Sequence, residues 1–337
     1  MNILVTGGAG YIGSHTIIEL LNQGYKSIYS IDNYINSDES NYSKIEEITG
    51  ESITYLNLDL KNVDSLRSFF KEYRIETVIH FAALKSVPDS VQNPELYYDN
   101  NLFSLINLLT CIKEFGVKQL IFSSSCSIYG NPEVLPVNEQ TPFGIAESPY
   151  ATTKQMGEMI LRDFSKINPQ VKIISLRYFN PLGAHKSGLI GEAFTKRPNN
   201  LLPIITQTAA GLRTELTVFG SDYNTNDGSC IRDYIHVVDV ATAHVKAINY
   251  LSTMVGENFD VINLGTGTGT SVLEMIHSFE KVSGVKLNYI LGERRVGDVE
   301  TIYADNSKAK KLLKWNAEFN IDDMVDSAWK WQQNMKI

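Results

Sequence analysis

The chain begins with an apolar run that ends on glycines. Ile3, Leu4 and Val5 have no polar residue among them, the mark of a strand buried in a parallel sheet. Gly7, Gly10 and Gly13 then recur at a spacing of three, and Gly8, Gly10 and Gly13 fill a G-x-G-x-x-G pattern. A strand that turns at once into a helix needs backbone angles that other residues avoid. The missing Cβ atoms also let the main chain approach a pyrophosphate and let the helix pack on the strand. That helix is expected from Tyr11 to about Gly24, with Ile17, Ile18 and Leu21 facing inward. Its free N–H groups and positive dipole end suit phosphate. A second strand, Ser27 to Ile31, stops at Asp32, where an acidic side chain can hold an adenosine ribose diol. Asp32 would repel a 2′-phosphate, so the pattern favours NAD over NADP.

The alternation continues. A polar loop spans Asn33 to Asn41, and Ile53 to Asp59 reads as a third strand. Asp59 has two readings: an acceptor for the adenine amine, or the cap of a helix over Val63 to Arg74. Thr77 to Ala83 is a fourth strand whose Ala82 and Ala83 leave room for a ligand. From Asn100 to Phe115, apolar residues at 102, 105, 106, 109 and 112 form a helical stripe that covers the sheet. Part of that helix can also face a partner subunit. Gln119 to Ser125 is a fifth strand, Tyr150 opens a helix to about Asn168, and Val171 to Asn180 is a sixth strand. This order specifies an α/β fold with a doubly wound parallel sheet and ligands at the carboxyl ends of its strands, where Gly8, Ala82, Ser125 and Asn180 fall.

Beyond Asn180 the rhythm breaks. Residues 1–180 are therefore expected to form the dinucleotide domain, and 181–337 a smaller mixed α/β substrate lobe. Helices are expected at Ile204–Gly211, at His236–Leu251 and, as a pair, over Ala304–Trp331, with a strand at Leu216–Phe219 and a polar loop at Ser221–Arg232. Part of 233–265 is expected to return to the large sheet through Val261 to Leu264. Gly265, Gly267 and Gly269 precede Ser271 and Glu274, a capping-box spacing that reads as a turn into a helix rather than a second dinucleotide site.

A net charge of −8 over 337 residues, without a basic block, argues against nucleic acid as a partner. Three widely spaced cysteines suggest neither a disulfide framework nor a metal-ligand cluster, and point to a reducing compartment. No apolar run approaches transmembrane length, and a strand that starts at residue 2 leaves no room for a leader.

The chemistry centres on Tyr150 and Lys154, four residues apart at a helix start and so on one face. A phenol near pKa 10 is a poor base at neutral pH. An adjacent ammonium favours the phenolate, and a positive nicotinamide ring would do the same. Bringing the phenol near 7 takes roughly 4 kcal/mol of differential stabilisation. Ser125, ending the fifth strand, can bond the same substrate hydroxyl.

These residues belong to a wider set of matches. TGGAGYIGSH, DNYINS, HFAALKSV, YYDNN, IFSSSCSIYG, SPYATTK, LRYFNPLGAH, PNNLLP, DGSCIRDYIHV and RRVGD together resemble the UDP-glucose 4-epimerases of the extended short-chain dehydrogenase/reductase family, over essentially the whole length. The first piece is shared across the superfamily; YYDNN, RYFNPLGAH, PNNL and DGSCIRDYIHV are the specific ones. The resemblance implies a Rossmann domain with Ser125, Tyr150 and Lys154 as the catalytic set. It implies an NAD site of Gly7, Gly10, Tyr11, Ile12, Gly13, Asp32, Asn33, Asn36, Ser37, Asp59, Leu60, Phe81, Ala82, Ala83, Lys85, Asn100, Ser125, Tyr150, Lys154 and Tyr178. It implies a UDP-sugar site of Ser125, Tyr150, Phe179, Asn180, Asn200, Leu201, Phe219, Arg232, Arg295 and Asp298. Guanidinium forks suit pyrophosphate oxygens independently of any family. The implied activity is reversible C4 inversion of UDP-glucose and UDP-galactose through a transient 4-keto sugar and retained NAD, in a cytoplasmic homodimer. A 4,6-dehydratase would need an acid pair beside the catalytic hydroxyl residue, where this chain has Cys126 and Ser127. A non-catalytic NAD sensor would need the glycine turn but not Ser125, Tyr150 and Lys154 together. Pro88, Asp89 and Asp38 depart from the family pattern. Ile302 is intermediate in size at a position linked to room for an N-acetyl group.

Overall fold

The computed structural model describes residues 1–193, 200–295 and 298–335. In the first half, strands β1 (Ile3–Thr6), β2 (Ile28–Asp32), β3 (Thr54–Asn57), β4 (Thr77–His80), β5 (Gln119–Ser125) and β6 (Lys172–Tyr178) alternate with helices. The helices are α1 (Tyr11–Asn22), α2 (Ser40–Thr49), α3 (Val63–Tyr73), α4 (Val87–Gln92), α5 (Pro94–Tyr98), α6 (Ser104–Phe115) and α7 (Pro149–Ile167). After β6 come β7 (Asn180–Leu182), α8 (Leu201–Ala209), β8 (Leu216–Phe219), β9 (Ile231–Arg232), β10 (Tyr234–His236), α9 (Val237–Thr253) and β11 (Phe259–Leu264). The chain closes with β12 (Thr270–Ser271), α10 (Val272–Ser283), β13 (Tyr289–Gly292), β14 (Thr301–Ile302), α11 (Ser307–Leu312) and α12 (Ile321–Asn334).

The seven-stranded sheet has the order β11-β6-β5-β4-β1-β2-β3, and every pairing is parallel. This is the expected doubly wound sheet, with β11 joining β6 from the second half of the chain. The order reverses between β1 and β4, the kind of switch point at whose carboxyl ends ligands bind in open α/β sheets. Alternate residues supply two cores. Ile3, Val5, Ile79, Ile121 and Ile174 pack with Ile17, Ile18 and Val240 on one face. Leu4, Val78, Leu120 and Ile173 pack with Leu66, Phe70, Leu108 and Leu161 on the other. A third core, around Leu202, Leu216, Ile276, Phe279 and Val325, is built from the second half of the chain.

Several expectations need correction. The loop expected to reach Asn41 gives way at Ser40 to α2, whose inward face is only Asn41, Tyr42 and Ile45. Asp59 does not cap α3; Asn62 does, its Oδ1 accepting the Ser65 N–H at 3.1 Å. In the stripe over 100–115, Leu105, Leu109 and Ile112 are buried as expected, but Ile106 is 45% exposed and Leu108 and Cys111 are buried in its place. The segment opens with a π-helical turn over Asp99–Phe103. The sixth strand ends at Tyr178. Asn180 instead starts β7, paired with β10, and α8 begins at Leu201 rather than Ile204.

Candidate active site

The first turn shows why glycine is required. Gly7 has φ +72°, and a Cβ there would lie 2.8 Å from the Ala82 amide nitrogen. A Cβ on Gly13 would lie 2.2 Å from the Gly7 carbonyl oxygen, so α1 can sit on this turn only without one. Gly10 starts α1 with no capping side chain, so the first-turn backbone, including Tyr11 and Ile12, faces a bare cradle. The described backbone therefore suits a dinucleotide pyrophosphate.

Asp32, at the end of β2, is buried. Its Oδ2 accepts the Ala9 N–H at 3.1 Å, and its Oδ1 accepts the Tyr34 N–H at 3.0 Å and the Ser37 hydroxyl at 2.7 Å. Beside it, Asn33 donates to Asp59 Oδ2 at 3.2 Å, and Asp59 Oδ1 accepts the Lys61 N–H at 2.8 Å. Leu60 is buried under this edge, and Asn36 is exposed on the loop. Phe81, Ala82 and Ala83 follow β4, with the Phe81 ring 4.6 Å from the His244 ring. Asn100 donates to Asn101 Oδ1 at 3.1 Å. Sequence reasoning passed over Asn101, which is a clamp. Its amide pairs with both backbone groups of Leu84, at 2.8 and 3.0 Å, and donates to Thr153 Oγ1 at 3.1 Å.

The strand β5 and the helix α7 meet along one seam. Ser148 caps α7 through the Ala151 N–H and sets the face on which Tyr150 and Lys154 lie. Ser125 Oγ accepts the Ser127 N–H at 3.2 Å. The Lys154 ammonium donates to the Ser123 carbonyl at 2.6 Å and lies 5.8 Å from the Tyr150 ring centroid. Ser124 and Arg177 both bond Glu158, one turn beyond Lys154, in a fully buried ion pair. Tyr178 shares a short hydrogen bond with Ser123.

Burial dominates the electrostatics. It pushes the Tyr150 phenol up to about 12; its hydrogen bond with Ser125 works downward and the Cys126 thiol upward. Burial pulls Lys154 down to about 8, against the Glu158 carboxylate, which raises it. The side chains alone therefore do not lower the phenol as the Tyr–Lys spacing suggested, because the ammonium is spent on a carbonyl and desolvation wins.

The residues assigned to the sugar nucleotide form three groups. Phe179 is buried with Ile302, Tyr129 and Ala304, while the neighbouring Asn180 Oδ1 is buried with no partner among the described residues. Arg232 reaches Asp298 at 3.3 Å, and the Arg295 guanidinium lies 4.1 Å from the Phe219 ring centroid. Asn200 precedes Leu201 at the start of α8 and donates to Glu192 Oε1 at 2.7 Å. Glu192 had no signal in the sequence, whereas Glu158 had one, its i+4 spacing from Lys154. Among the described residues, no cluster of His, Cys, Asp and Glu is placed to hold a metal.

A family model described as GDP-mannose 4,6 dehydratase matches residues 4–328. A curated UDP-glucose 4-epimerase of Bacillus subtilis is 49% identical over 334 residues, covering 99% of this chain and 97% of its own. The UDP-glucose 4-epimerase structure from Bifidobacterium longum, in complex with NAD+ and UDP, superposes with a TM-score of 0.94 at 47% identity, covering 99% of this chain and 98% of that one. The structure from Stenotrophomonas maltophila, with bound NAD and formylated UDP-arabinopyranose, gives 0.95 at 44% identity, with 99% and 98% covered. With half of its residues shared from end to end and the same sheet beneath them, the chain belongs to the UDP-glucose 4-epimerase family.

Proposed function

We propose that this enzyme interconverts UDP-glucose and UDP-galactose by inverting C4 through a transient 4-keto sugar. The observation that carries this reading is the seam of β5 and α7, where half-buried Ser125 and Tyr150 lie with the buried Lys154 ammonium in a chain that also holds the glycine cradle. NAD, held along Gly7–Gly13, Asp32, Asn33, Asp59, Phe81–Ala83, Lys85, Asn100 and Tyr178, takes a hydride from C4 and returns it to the opposite face. Tyr150 accepts the 4-hydroxyl proton and gives it back. Ser125 orients that hydroxyl. Lys154 supplies positive charge and fixes α7 to β5 through Ser123. Since the chain's own groups leave the phenol high, the rest of its activation falls to the cationic nicotinamide ring. Asn180, Asn200, Leu201, Phe219, Arg232, Arg295 and Asp298 anchor the UDP while the hexose turns over. Anchoring at a distance from the reacting carbon leaves binding energy available without fixing the sugar in one orientation. The Cys126 thiol, pushed up to about 12 by burial, is no acid for loss of a 6-hydroxyl, which argues against a 4,6-dehydratase.

Residues 1–180 act as the NAD domain and 181–337 as the substrate lobe, with β11 lent back to the sheet. The working form is a homodimer in the cytoplasm. Phe103 at the end of the π turn, Ile106 on α6, and Met159 and Ile167 on α7 are exposed beside a groove lined by Leu109, Ile160 and Phe164 that suits the same helices of a second copy. The free thiols Cys111, Cys126 and Cys230 suit a reducing compartment. Among the described residues, no helix is long and apolar enough to cross a membrane. The direct test is purified protein given UDP-galactose with no added cofactor. Appearance of UDP-glucose supports the reading, and steady accumulation of reduced nicotinamide or no turnover defeats it.

A further inference from the structure

One buried carboxylate ties the two halves of the site together. Glu192 lies between β7 and α8, with its side chain 7% exposed. Its Oε1 accepts from Lys85 Nζ at 2.8 Å and from Asn200 Nδ2 at 2.7 Å. Lys85 belongs to the loop after β4, on the dinucleotide side; Asn200 starts α8, on the substrate side. Asparagine is a favoured helix cap, yet the Asn200 side chain makes no bond to its own helix and is spent on Glu192. The Lys85 ammonium also stands 5.6 Å from the Tyr11 ring centroid, and the Tyr11 hydroxyl donates across to the Gly183 carbonyl at 2.6 Å.

We propose that Glu192 is a positioning residue that couples the grip on the UDP-sugar to the cofactor-facing loop, by holding Asn200 in register with Lys85. The inference rests on the functional reading above. A carboxylate only accepts hydrogen bonds, so it fixes the Asn200 amide with Nδ2 toward itself and Oδ1 turned away, as an acceptor for a ligand. Lys85 has three donors; one is held by Glu192, and the others remain for phosphate oxygens. Both bonds are charge-assisted, which makes them stronger and more directional than neutral ones.

The test is calorimetric titration of UDP into wild type, Glu192→Gln, Asn200→Ala and the double variant, each as purified with its nucleotide. KM and kcat for UDP-galactose are measured alongside. Glu192→Gln keeps the size but removes the charge and lets the Asn200 amide pair either way round. It is expected to weaken UDP about five- to tenfold. KM should rise in step, with kcat changed by less than about twofold. The double variant should lose no more than Asn200→Ala alone, since both changes break one linkage. Fully additive losses, or unchanged UDP affinity in a folded Glu192→Gln, overturn the proposal. If Glu192→Gln does not fold, Glu192→Asp decides. Its shorter stem cannot span both partners, so it must lose UDP affinity while keeping kcat, and unchanged affinity overturns the proposal. Wild type that binds no UDP defeats the functional reading and the linkage with it. Wild type that binds UDP beside an unaltered Glu192 variant defeats the linkage alone.

Discussion

Lys154 Nζ stands 5.8 Å from the centroid of the Tyr150 ring, but its hydrogen bond goes to the Ser123 carbonyl, 2.6 Å away. The lysine therefore acts on the phenol through space and by fixing the seam between α7 and β5. Tyr150→Phe keeps the ring and removes only the group that moves the proton. Interconversion should fall by about 10²- to 10⁴-fold, the usual worth of a positioned acid–base, while UDP still binds. Near-wild-type turnover of UDP-galactose in this variant would take Tyr150 out of the reaction.

The same pair sets an alkaline limit. Burial lowers Lys154 to about 8, so its charge is present below that pH and lost above it. That charge favours the phenolate, so kcat/KM should decline as pH rises through about 8. An arginine does not titrate in this range, and Lys154→Arg should flatten the decline in whatever activity it retains. A pH–rate profile of both proteins checks this, and an unmoved limb in the arginine variant assigns the decline to another group.

Acid should unfold the protein through its buried histidines. Burial lowers His15 and His80 to about 3 and His236 and His244 to about 4. Each is then neutral in the fold at a pH where the unfolded chain, with pKa near 6.5, binds a proton. The unfolded state holds more protons between the two values, so stability rises with pH across that window and is lost as pH falls below about 6.5. At pH 5 each group costs roughly 2 kcal/mol, and four together about 8, comparable to the whole stability of a domain. Denaturant midpoints between pH 7 and pH 5 should drop steeply. A flat profile would mean these rings are not desolvated as packed.

Periodicity explains what the sequence revealed and what it hid. Ile3–Val5, Asp32 and the Tyr150–Lys154 spacing are local patterns, and each falls where expected. The helix α2 went unseen because only Asn41, Tyr42 and Ile45 of its residues face inward, too few for an amphipathic stripe. Ile106 lies one residue beyond the buried row of Leu105, Leu108, Leu109 and Ile112, and its apolar side chain gives no local sign that it faces out. Glu192 gives no local signal because one of its two partners, Lys85, comes from the loop after β4 in the other half of the chain. Arg177 did leave a trace, since a charge inside an apolar strand requires a buried counter-charge.

That counter-charge is Glu158, which takes Arg177 Nε and Nη2 at 2.9 and 2.6 Å and the Ser124 hydroxyl at 2.5 Å. Removing one member leaves the other charged and dry. Glu158→Ala should destabilise the fold by about 3–5 kcal/mol. Replacing both, as Glu158→Leu with Arg177→Met, should recover most of that loss. Thermal or denaturant unfolding of the single and double variants measures it, and a double variant as unstable as the single one would contradict the account.

Asn180 should show the opposite signature, a residue kept at a cost to stability. Its Oδ1 is buried without a partner among the described residues, where β7 pairs with β10. An unmet buried acceptor costs about 1–3 kcal/mol, which a ligand hydroxyl or N–H can repay on binding. Asn180→Ala removes the orphan, so the ligand-free protein should melt at the same temperature or higher. KM for UDP-galactose should rise, and the stabilisation that saturating UDP-galactose gives wild type should shrink. An asparagine kept only for packing would do the reverse, with a lower melting temperature and an unchanged KM. Melting curves with and without the sugar nucleotide, read beside KM, separate the two roles.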